Sequence, residues 1–487
     1  MEWLNFLEEE FSRAIINCND SSVPSPDKMS WGHLKHITKD KLCLKNIIYI
    51  ANMCFKLDHW PKHFKISITV IIPKPNKSSY NSLKSFRPIV LLNTLGKLIK
   101  KVIDKRLQFQ VISNNFIHQC QLGGLKFKST MDADITLTHF IHSGWVKNLS
   151  TSTVAFDITQ FFPSLNHHLV SLILGKAEFS LRVVNFFSNY LINRKTTYSW
   201  NNFSSQSFNI SVGVGQSSVL SPILSALYLS PFFHILEKWL KNLNLKISTL
   251  SFVDDGLILT QSNSFQLSNA CLFSSYNVAT ILMSKFSLLV EHLKTEVFHF
   301  SWSHGTFNPS PLNLLSLGGL ILVPKNTWKY LGFIFDRKLC FHNHIDYYSN
   351  TAISRVKCMK ILGNSSRGLN SHQKHFLYRS CALLIAIYGF QLWFYSKALL
   401  SYTLNTLNKL QRKAATWILG AFKTSSLYGI EAITGLILIH LHLQKLSERS
   451  QLRVHTLSAN HLIRSLIDNN PLSPSPPHVL SLSLLWT

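Results

Sequence analysis

Residues 251–260 read SFVDDGLILT, and this stretch places two adjacent acids, Asp254 and Asp255, between two apolar runs. Short runs of Phe, Val, Leu and Ile broken by Asp and Gly predict a β-hairpin, because Asp and Gly tolerate the positive φ of tight turns. Turn chemistry alone explains the stretch. A hairpin that presents a metal site would read the same way, so the rest of the chain must separate the two interpretations.

The composition indicates a folded protein with a polyanionic partner. A chain of 487 residues with 46% hydrophobic composition can bury a large core and suggests two to four domains or subdomains. Lys and Arg number 49 against 23 Asp and Glu, which gives a formal charge of +26. Nucleic acid is the leading candidate partner, and an anionic membrane surface is the second.

The positive charge is concentrated in residues 337–429. This segment contains 13 Lys and Arg and a single acid, Asp346. A solvated helix face normally mixes both signs, so a segment this one-sided favours a surface that grips a phosphate backbone. Ordinary solvated helix faces remain the alternative.

The eight cysteines and the N-terminus bear on the compartment. The cysteines are scattered, with no CxxC and no zinc-like spacing, and are expected to be reduced, mostly buried thiols of an intracellular protein. The N-terminus carries acids and lacks a basic head with an apolar run, so no secretory signal is expected. The apolar stretch CALLIAIYGFQLWF from Cys381 is short for a membrane span and predicts a core helix.

The order of segments predicts an α+β fold. An amphipathic helix over residues 2–17 and a second helical region to about Phe55 come first, followed by a β-branched strand over residues 66–75. Further strands and helices alternate to about residue 337. Beyond Lys338 the pattern becomes mainly helical, and the Pro- and Ser-rich tail over residues 469–487 is expected to be disordered.

In TVAFDITQFF, a predicted apolar strand ends at Asp157. This residue is a candidate partner, distant in the sequence, for the two acids of the hairpin. A carboxylate at the end of a buried strand is costly unless it is hydrogen-bonded, paired or bound to a metal. Three such carboxylates together would repel each other. Two divalent cations about 3.5–4 Å apart would relieve that repulsion and activate phosphoryl transfer.

Taken in order, IIPKP, SFRPIVLLN, AFDITQFFPS, GVGQSSVLSP, SFVDDG, KTEVFHF and WKYLGFIFDRKL resemble the successive blocks of a reverse transcriptase of the non-LTR, LINE-type retrotransposons. The stretches FDITQFFPSLNH and WILGAFKTS are most similar to the Tad-like elements of fungi. The likeness runs from about Pro24 to about Ile467. Several blocks in the right order make it far more specific than any single motif.

The resemblance implies a right-hand polymerase and an RNA-directed DNA polymerase activity. Residues 1–60 would form a helical N-terminal extension, 61–337 the fingers and palm, and 338–468 a helical thumb and C-terminal region. The expected partners are an RNA template, a DNA primer and dNTPs, with no membrane. Synthesis in the cytoplasm and action in the nucleus are expected.

The resemblance also implies a catalytic site. Asp157, Asp254 and Asp255 would form the triad that binds two Mg²⁺ ions, with Mn²⁺ able to substitute. Lys294 in HLKTEVFHF matches the lysine proposed to protonate departing pyrophosphate, although a lysine at a helix end is more often merely solvated.

Four further residues match substrate-binding positions. Arg87 and Lys74 would hold the incoming triphosphate, Phe162 would lie under the nucleotide sugar and exclude a 2′-hydroxyl, and Gln216 would contact the nascent base pair. Exposed charge, a core phenylalanine and a plain loop glutamine are their ordinary interpretations. Tyr330, Leu331 and Gly332 resemble the hairpin that grips the primer.

Departures from the family pattern predict reduced activity. Ser217 replaces a glycine beside Gln216 and would strain the turn or obstruct the pocket, and Lys100 stands where the family usually has an acid. A catalytically weak or dead relic that only binds nucleic acid is therefore one alternative. An intron maturase or an RNA polymerase is another, disfavoured by Phe162, the RPI block and the C-terminal half.

Overall fold

The computed structural model describes residues 3–24, 26–75, 77–242, 247–302, 312–313, 321–363, 367–394, 401–458 and 461–469. The tail predicted to be disordered falls, apart from Asn469, outside these residues. The chain alternates helices and strands up to residue 336 and is helical afterwards. The α+β fold class predicted from the sequence is confirmed.

The N-terminal part is helical, as expected. The helices are α1 (Glu8–Ile16), α2 (Trp31–Ile37) and α3 (Lys41–Lys56). Side-chain caps explain where they begin: the Asp40 carboxylate accepts hydrogen bonds from the backbone N–H groups of Leu42 and Cys43 at 2.7 and 2.9 Å. Capping of this kind satisfies amide groups that have no partner within the helix.

The first sheet has the order β2-β1-β4-β5, and β6 also pairs with β4. Strands β1 and β4 are parallel, and β1 and β2 are antiparallel. Helix α4 (Thr94–Ser113) follows β2 and is capped by Asn93, whose side chain accepts from the Gly96 N–H at 3.0 Å. The strands are β1 (Ile66–Pro73), β2 (Phe86–Leu92), β4 (Arg194–Trp200), β5 (Phe203–Ser204) and β6 (Phe208–Ile210).

The second sheet is antiparallel, in the order β7-β8-β3-β9, and it separates two hydrophobic cores. Its strands are β3 (Ser150–Asp157), β7 (Ile247–Phe252), β8 (Asp255–Ser262) and β9 (Glu296–Phe300). Because successive side chains of a strand point to opposite faces, Ile258 joins one core and its neighbours Leu257 and Leu259 join the other.

Helices cover both faces of the second sheet. Helix α10 packs against β3 and β8, and α5 packs against β3 and β7. The helices of this region are α5 (Thr130–Val146), α6 (Phe161–Ser164), α7 (His167–Lys176), α8 (Leu181–Leu191), α9 (Ser221–Asn242) and α10 (Phe265–Lys285). Two short ladders follow, formed by β10 (Leu312–Asn313) with β11 (Ile321–Leu322) and by β12 (Thr327–Tyr330) with β13 (Phe333–Asp336).

The C-terminal part is helical and shares the second core with the sheet. The apolar stretch predicted to be one core helix is instead broken: a π-helical turn over Tyr378–Leu383 leads into two short helices separated at Gly389, whose φ of +75° ends the run. The helices are α11 (His342–Met359), α12 (Ser371–Leu377), α13 (Leu384–Ala386), α14 (Phe390–Trp393), α15 (Ser401–Leu419), α16 (Leu427–Thr434), α17 (Ile439–His455) and α18 (Leu462–Asn469).

Two expectations from the sequence concern membrane-spanning helices and the burial of the cysteines. Within the described ranges, no helix has both the length and the apolar character needed to cross a membrane. All eight cysteines are free thiols, and only Cys18, Cys54, Cys120 and Cys271 are buried. Half of the cysteines are therefore buried, where most were expected to be. Cys43 is half-buried, and the other three lie on exposed faces of the C-terminal part.

Candidate active site

Asp157 and Asp255, which are far apart in the sequence, meet across two neighbouring strands of the second sheet. Asp157 is the last residue of β3 and Asp255 the first residue of β8, and they are direct Cα partners in the antiparallel register. Asp254 lies in the turn before β8, where its carbonyl accepts from the Ile158 N–H at 3.2 Å. The three predicted acids therefore lie together at one end of the two central strands of the sheet.

The hairpin predicted from SFVDDGLILT is present, but its strained residue is not the predicted one. Neither acid carries the positive φ; Val253 does, at +61°. A β-branched residue rarely adopts this conformation, and it persists only when the surroundings impose it. The backbone at Gly123 lies so close that an added Cβ would come within 2.5 Å of the Val253 nitrogen.

Gly256 serves close packing rather than the turn. A Cβ at Gly256 would meet the Phe156 ring at 2.3 Å, so the ring occupies the space where a side chain would stand. Phe156 and Gly256 are Cα partners between β3 and β8. The contact holds the ends of both strands, and with them Asp157 and Asp255, in register.

Burial and mutual repulsion govern the charge of the two hairpin acids. Burial, together with the charges of Asp254 and Asp157, raises the pKa of Asp255 to about 7, although Lys294 acts in the opposite direction. Burial also raises the pKa of Asp254, with Asp157 acting in the same direction. The end of the sheet thus holds more negative charge than its surroundings stabilise.

Lys294 is brought directly to the triad. Its ammonium hydrogen-bonds to Oδ2 of Asp157. Burial lowers the pKa of Lys294, but the hydrogen bond and charge of Asp157 outweigh it, so the pKa lies above the ordinary value. The segment is held by backbone as well, because the N–H of Glu291 donates to the Asp157 carbonyl at 2.8 Å.

The triad fits a divalent cation by its chemistry. Carboxylate oxygens are the hard donors that Mg²⁺ prefers, and a cation would relieve the repulsion that raises the pKa values of Asp254 and Asp255. Over the described part of the chain, however, no three His, Cys, Asp or Glu side chains stand as a ready-made metal cluster. The acids are neighbours that a cation would draw together rather than a preformed cage.

Lys74 and Arg87 lie on the first sheet on the side of the triad. Arg87 is an exposed residue of β2, paired with Ile72 of β1. The Lys74 ammonium donates to the Lys84 carbonyl at 2.7 Å. Burial lowers its pKa, and so do the charges of Lys294, Lys77 and Arg87, while Asp157 raises it. Lys74 therefore shares one electrostatic environment with both Arg87 and the triad.

Phe162 and the loop over residues 213–218 lie side by side. Phe162 is half-buried in α6, and its carbonyl accepts from the Val214 N–H at 2.7 Å. Phe161, its neighbour, is 3% exposed and belongs to the core, as predicted. Gln216 is half-buried in the same loop.

Ser217 does not strain its turn. It is absent from the residues with positive φ, so the backbone there suits any side chain. Its hydroxyl points to the first sheet, where it donates to the Val90 carbonyl at 2.5 Å. The strain expected from replacing a glycine is therefore wrong, and obstruction of the pocket is the way left in which Ser217 would lower activity.

The predicted primer-grip hairpin is formed by β12 and β13. Leu331 and Gly332 make its turn, with φ of +46° and +93°. The Tyr330 ring is buried and stacks on Trp328 with ring centroids 5.0 Å apart. The hydroxyl of Tyr348 in α11 donates to the Gly332 carbonyl at 2.6 Å, which ties this turn to the helical part.

The basic segment is mostly solvent-facing, as a phosphate-binding surface requires. Lys374 is buried, being 3% exposed and lying over the Trp417 ring. Arg337 and Lys338 are half-buried, and Lys397 falls outside the described residues. Nine side chains of the segment are exposed: Arg355, Lys357, Lys360, Arg367, Arg379, Lys409, Arg412, Lys413 and Lys423.

Sequence reasoning missed an ion pair beside the triad. The Lys84 ammonium donates to both carboxylate oxygens of Glu291, at 3.1 and 3.2 Å, and so links the loop before β2 to the segment before β9. The two residues are 207 positions apart. The scarcity of acids in the chain is the one signal that could have drawn attention to Glu291.

More than half of the chain is similar to known proteins. Residues 72–335, more than half of the chain, match the family described as "Reverse transcriptase (RNA-dependent DNA polymerase)". A "Probable RNA-directed DNA polymerase from transposon BS" of Drosophila melanogaster is 25% identical over 394 residues, covering 79% of this chain and 42% of that protein.

Two further similarities extend over most of the chain. A "Retrovirus-related Pol polyprotein from type-1 retrotransposable element R1" of Bradysia coprophila is 23% identical over 438 residues, covering 88% of this chain and 41% of that protein. A solved telomerase from Candida albicans, bound to a fragment of telomeric RNA, superposes with a TM-score of 0.41 at 12% identity, covering 89% of this chain and 71% of that one. The chain spans less than half the length of the two curated relatives.

Proposed function

This chain belongs to the reverse transcriptase (RNA-dependent DNA polymerase) family, and on that premise we propose that it adds deoxynucleotides to a primer paired with an RNA template. Its fold is the α+β fold of right-hand polymerases. The observation that carries the proposal is the direct pairing of Asp157 with Asp255 across β3 and β8, with Asp254 in the adjoining turn.

The triad would bind the catalytic cations. Two divalent ions, Mg²⁺ by preference, would lower the pKa of the primer 3′-hydroxyl and stabilise the leaving pyrophosphate when held by Asp157, Asp254 and Asp255. Lys294 carries its proton at neutral pH, as an ordinary lysine does, and its hydrogen bond to Asp157 holds it beside the triad. It can therefore orient Asp157 and deliver a proton to pyrophosphate as it leaves.

The first sheet would hold the nucleotide. The Arg87 guanidinium can bind phosphate oxygens in a bidentate manner, and Lys74 supplies a second positive charge within the field of the triad. Phe162 and Gln216, joined through the backbone bond between Phe162 and Val214, would lie against the sugar and the nascent base pair. A ring beneath the sugar leaves no room for a 2′-hydroxyl and selects dNTPs.

The helical part would hold the duplex. Nine exposed basic side chains between residues 355 and 423 suit contacts with backbone phosphates, which position a duplex without reading its sequence. The β12/β13 hairpin, tied to α11 through Tyr348, would contact the primer strand. We accordingly assign residues 1–60 to an N-terminal extension, 61–337 to fingers and palm, and 338–468 to the thumb and C-terminal region.

We also propose the type of mobile element from which this protein comes and the compartment in which it acts. The curated relatives are named as polymerases or polyproteins of mobile elements, which supports a polymerase of a non-LTR retrotransposon here too. The stretches FDITQFFPSLNH and WILGAFKTS support the Tad-like fungal type. Such an enzyme would act in the nucleus, where its DNA target lies.

Primer extension on poly(rA)/oligo(dT) with purified protein and Mg²⁺ tests the proposal. We expect the wild type to extend the primer and Asp254→Asn to lose extension while binding the same RNA with unchanged affinity. Asp20→Asn, an exposed acid of the N-terminal part, is the matched control and should extend normally. Retained RNA binding without any extension by the wild type would mean that the chain only binds nucleic acid.

A further inference from the structure

A partly open cavity with three basic residues lies behind the loop that carries Gln216. Its volume is about 300 Å³, and it lies between the first sheet, helices α4 and α8, and residues 209–218. The lining includes Lys65, Lys100 and Arg194. None of the described residues that line it is Asp or Glu. The cavity therefore has a strongly one-sided charge.

Lys100 is the least compensated of the three. It is 1% exposed, and its ammonium makes no hydrogen bond or ion pair with any residue in the described ranges. The Tyr190 ring, with its centroid 5.9 Å from Nζ, is its one favourable electrostatic contact there. A buried ammonium without an acceptor costs several kcal/mol relative to water, so this arrangement calls for a partner.

The other two cations are satisfied only by neutral acceptors. The Lys65 ammonium donates to the carbonyl and side-chain oxygens of Asn189, at 2.6 and 3.0 Å. The Arg194 guanidinium donates to the carbonyls of Leu191, at 3.0 Å, and Gly213. These bonds fix the two side chains in place but leave their charges uncompensated.

Electrostatics reflect the same imbalance. Burial, together with the charges of Lys97 and Arg194, lowers the pKa of Lys100 to about 7. Neutral donors stand nearby, since the hydroxyls of Tyr190 and Ser218, which also line the cavity, are 3.1 Å apart. Fixed cations and hydroxyl donors around a small cavity are the groups that bind a tetrahedral oxyanion.

We propose that this cavity binds an oxyanion of the phosphate class, inorganic phosphate or pyrophosphate, through Lys100 with Lys65, Arg194, Tyr190 and Ser218. The cavity volume equals the share of about ten water molecules in the liquid, which is ample for either anion. The bound anion would join α4, α8 and the Gln216 loop. Binding does not depend on the polymerase activity proposed above, so the two proposals can fail separately.

Thermal unfolding of the full chain tests the proposal. The protein is melted at pH 6.5, where Lys100 is largely protonated, in increasing phosphate or pyrophosphate, with NaCl holding the ionic strength constant. We expect a saturable rise in the melting temperature of the wild type. Lys100→Met should weaken the apparent Kd about tenfold or more, the size of one charge-assisted hydrogen bond. Lys105→Met, exposed on the same helix, should behave as the wild type.

The outcomes separate the possible occupants. A tighter Kd for pyrophosphate than for phosphate would identify the reaction product as the natural occupant, and equal values would identify a general phosphate site. The absence of a saturable shift in the wild type, or an equal shift in Lys100→Met, would overturn the proposal. Should Lys100→Met fail to fold, ³¹P line broadening of phosphate by the wild type decides, because no saturable broadening contradicts binding.

Discussion

The molecule contains two clusters of like charge, and they differ in how they meet solvent. At the end of the second sheet, Asp254 and Asp255 repel each other and Asp157, and Lys294 partly offsets them from a position 60% exposed. In the cavity, Lys65, Lys100 and Arg194 have no acid among the described lining residues, and Lys100 is 1% exposed. One cluster is acidic and is offset by an exposed lysine; the other is basic and is centred on a buried lysine in a partly open cavity.

The charge and exposure of each cluster determine which ligand it is suited to bind. A half-open acidic cluster can exchange cations and a large substrate, which suits catalysis. A basic cluster in a small cavity has room for a small anion and holds it among fixed donors, which suits a structural or regulatory role. In both, the charge imbalance indicates a counter-ligand, since burying like charges without one is unfavourable.

The largest effect should come from breaking the acidic cluster. Asp157→Asn removes one metal-binding carboxylate and the partner of Lys294. We expect primer extension to fall on the order of a thousandfold, because cation binding at the reacting phosphate contributes several kcal/mol to the barrier. Single-nucleotide incorporation measures this, and an extension rate within tenfold of the wild type would remove Asp157 from the catalytic site.

A buried acid with its own counter-charge should behave in the opposite way. Asp132 is fully buried, and the Arg453 guanidinium binds both its oxygens, at 2.8 and 2.9 Å, which ties α17 to α5. Arg453→Met leaves this buried carboxylate with the Ser129 N–H at 2.8 Å and His461 at 3.9 Å as its remaining partners. The substitution should lower the free energy of unfolding by about 3–5 kcal/mol. Denaturant unfolding measures the loss.

Arg449→Met, exposed on the same helix as Arg453, is the matched control and should leave stability unchanged. A loss below about 1 kcal/mol for Arg453→Met would show that the pair adds little to stability.

Asp134, two residues after Asp132 in α5, has no such partner among the described residues. Both its oxygens are buried without a hydrogen bond among the described residues, and burial raises its pKa well above the ordinary value. The unfolded chain ionises this group near pH 4, while the folded chain keeps its proton. Stability should therefore fall as the pH rises from about 4 towards the raised pKa.

Asp134→Asn should flatten this dependence and raise stability at pH 7 by about 1–3 kcal/mol. Urea unfolding at several pH values measures the slope, and parallel curves for the wild type and the variant would contradict it.

The smallest effect concerns Ser217. Ser217→Gly removes a side chain beside Gln216 and one hydrogen bond to Val90. We expect turnover to rise, by about fivefold or less, which is the size of one neutral hydrogen bond. Steady-state primer extension compares the two proteins, and equal turnover would show that Ser217 does not obstruct the pocket.

Local patterns in the sequence predicted much of the acidic site and none of the basic one. The hairpin and the strand ending in Asp157 follow from apolar runs bounded by turn residues, and the order of blocks indicated that they meet. The left-handed Val253 was not predictable, because it is imposed by the approach of Gly123, 130 positions away.

The basic cavity depends on long-range packing. Lys65, Lys100 and Arg194 come from a loop, a helix and a strand, and only the folded chain brings them together. Lys100 stood out as a departure from the family pattern, but no local signal revealed the two cations beside it. The broken helix at Gly389 was missed for a similar reason, since its composition alone reads as a continuous apolar helix.

Both like-charge clusters, the acids at the end of the second sheet and the cations of the cavity, should lower the stability of the fold until a counter-ligand binds. The melting temperatures of the wild type, Asp255→Asn and Lys100→Met, compared at pH 8 and low ionic strength without divalent cations or phosphate, test this claim most directly. We predict that both variants melt above the wild type, because at pH 8 the folded chain must either bury Asp255 as a carboxylate or deprotonate Lys100, which the unfolded chain keeps charged. A melting temperature at or below that of the wild type, for either variant, would contradict the account for that cluster.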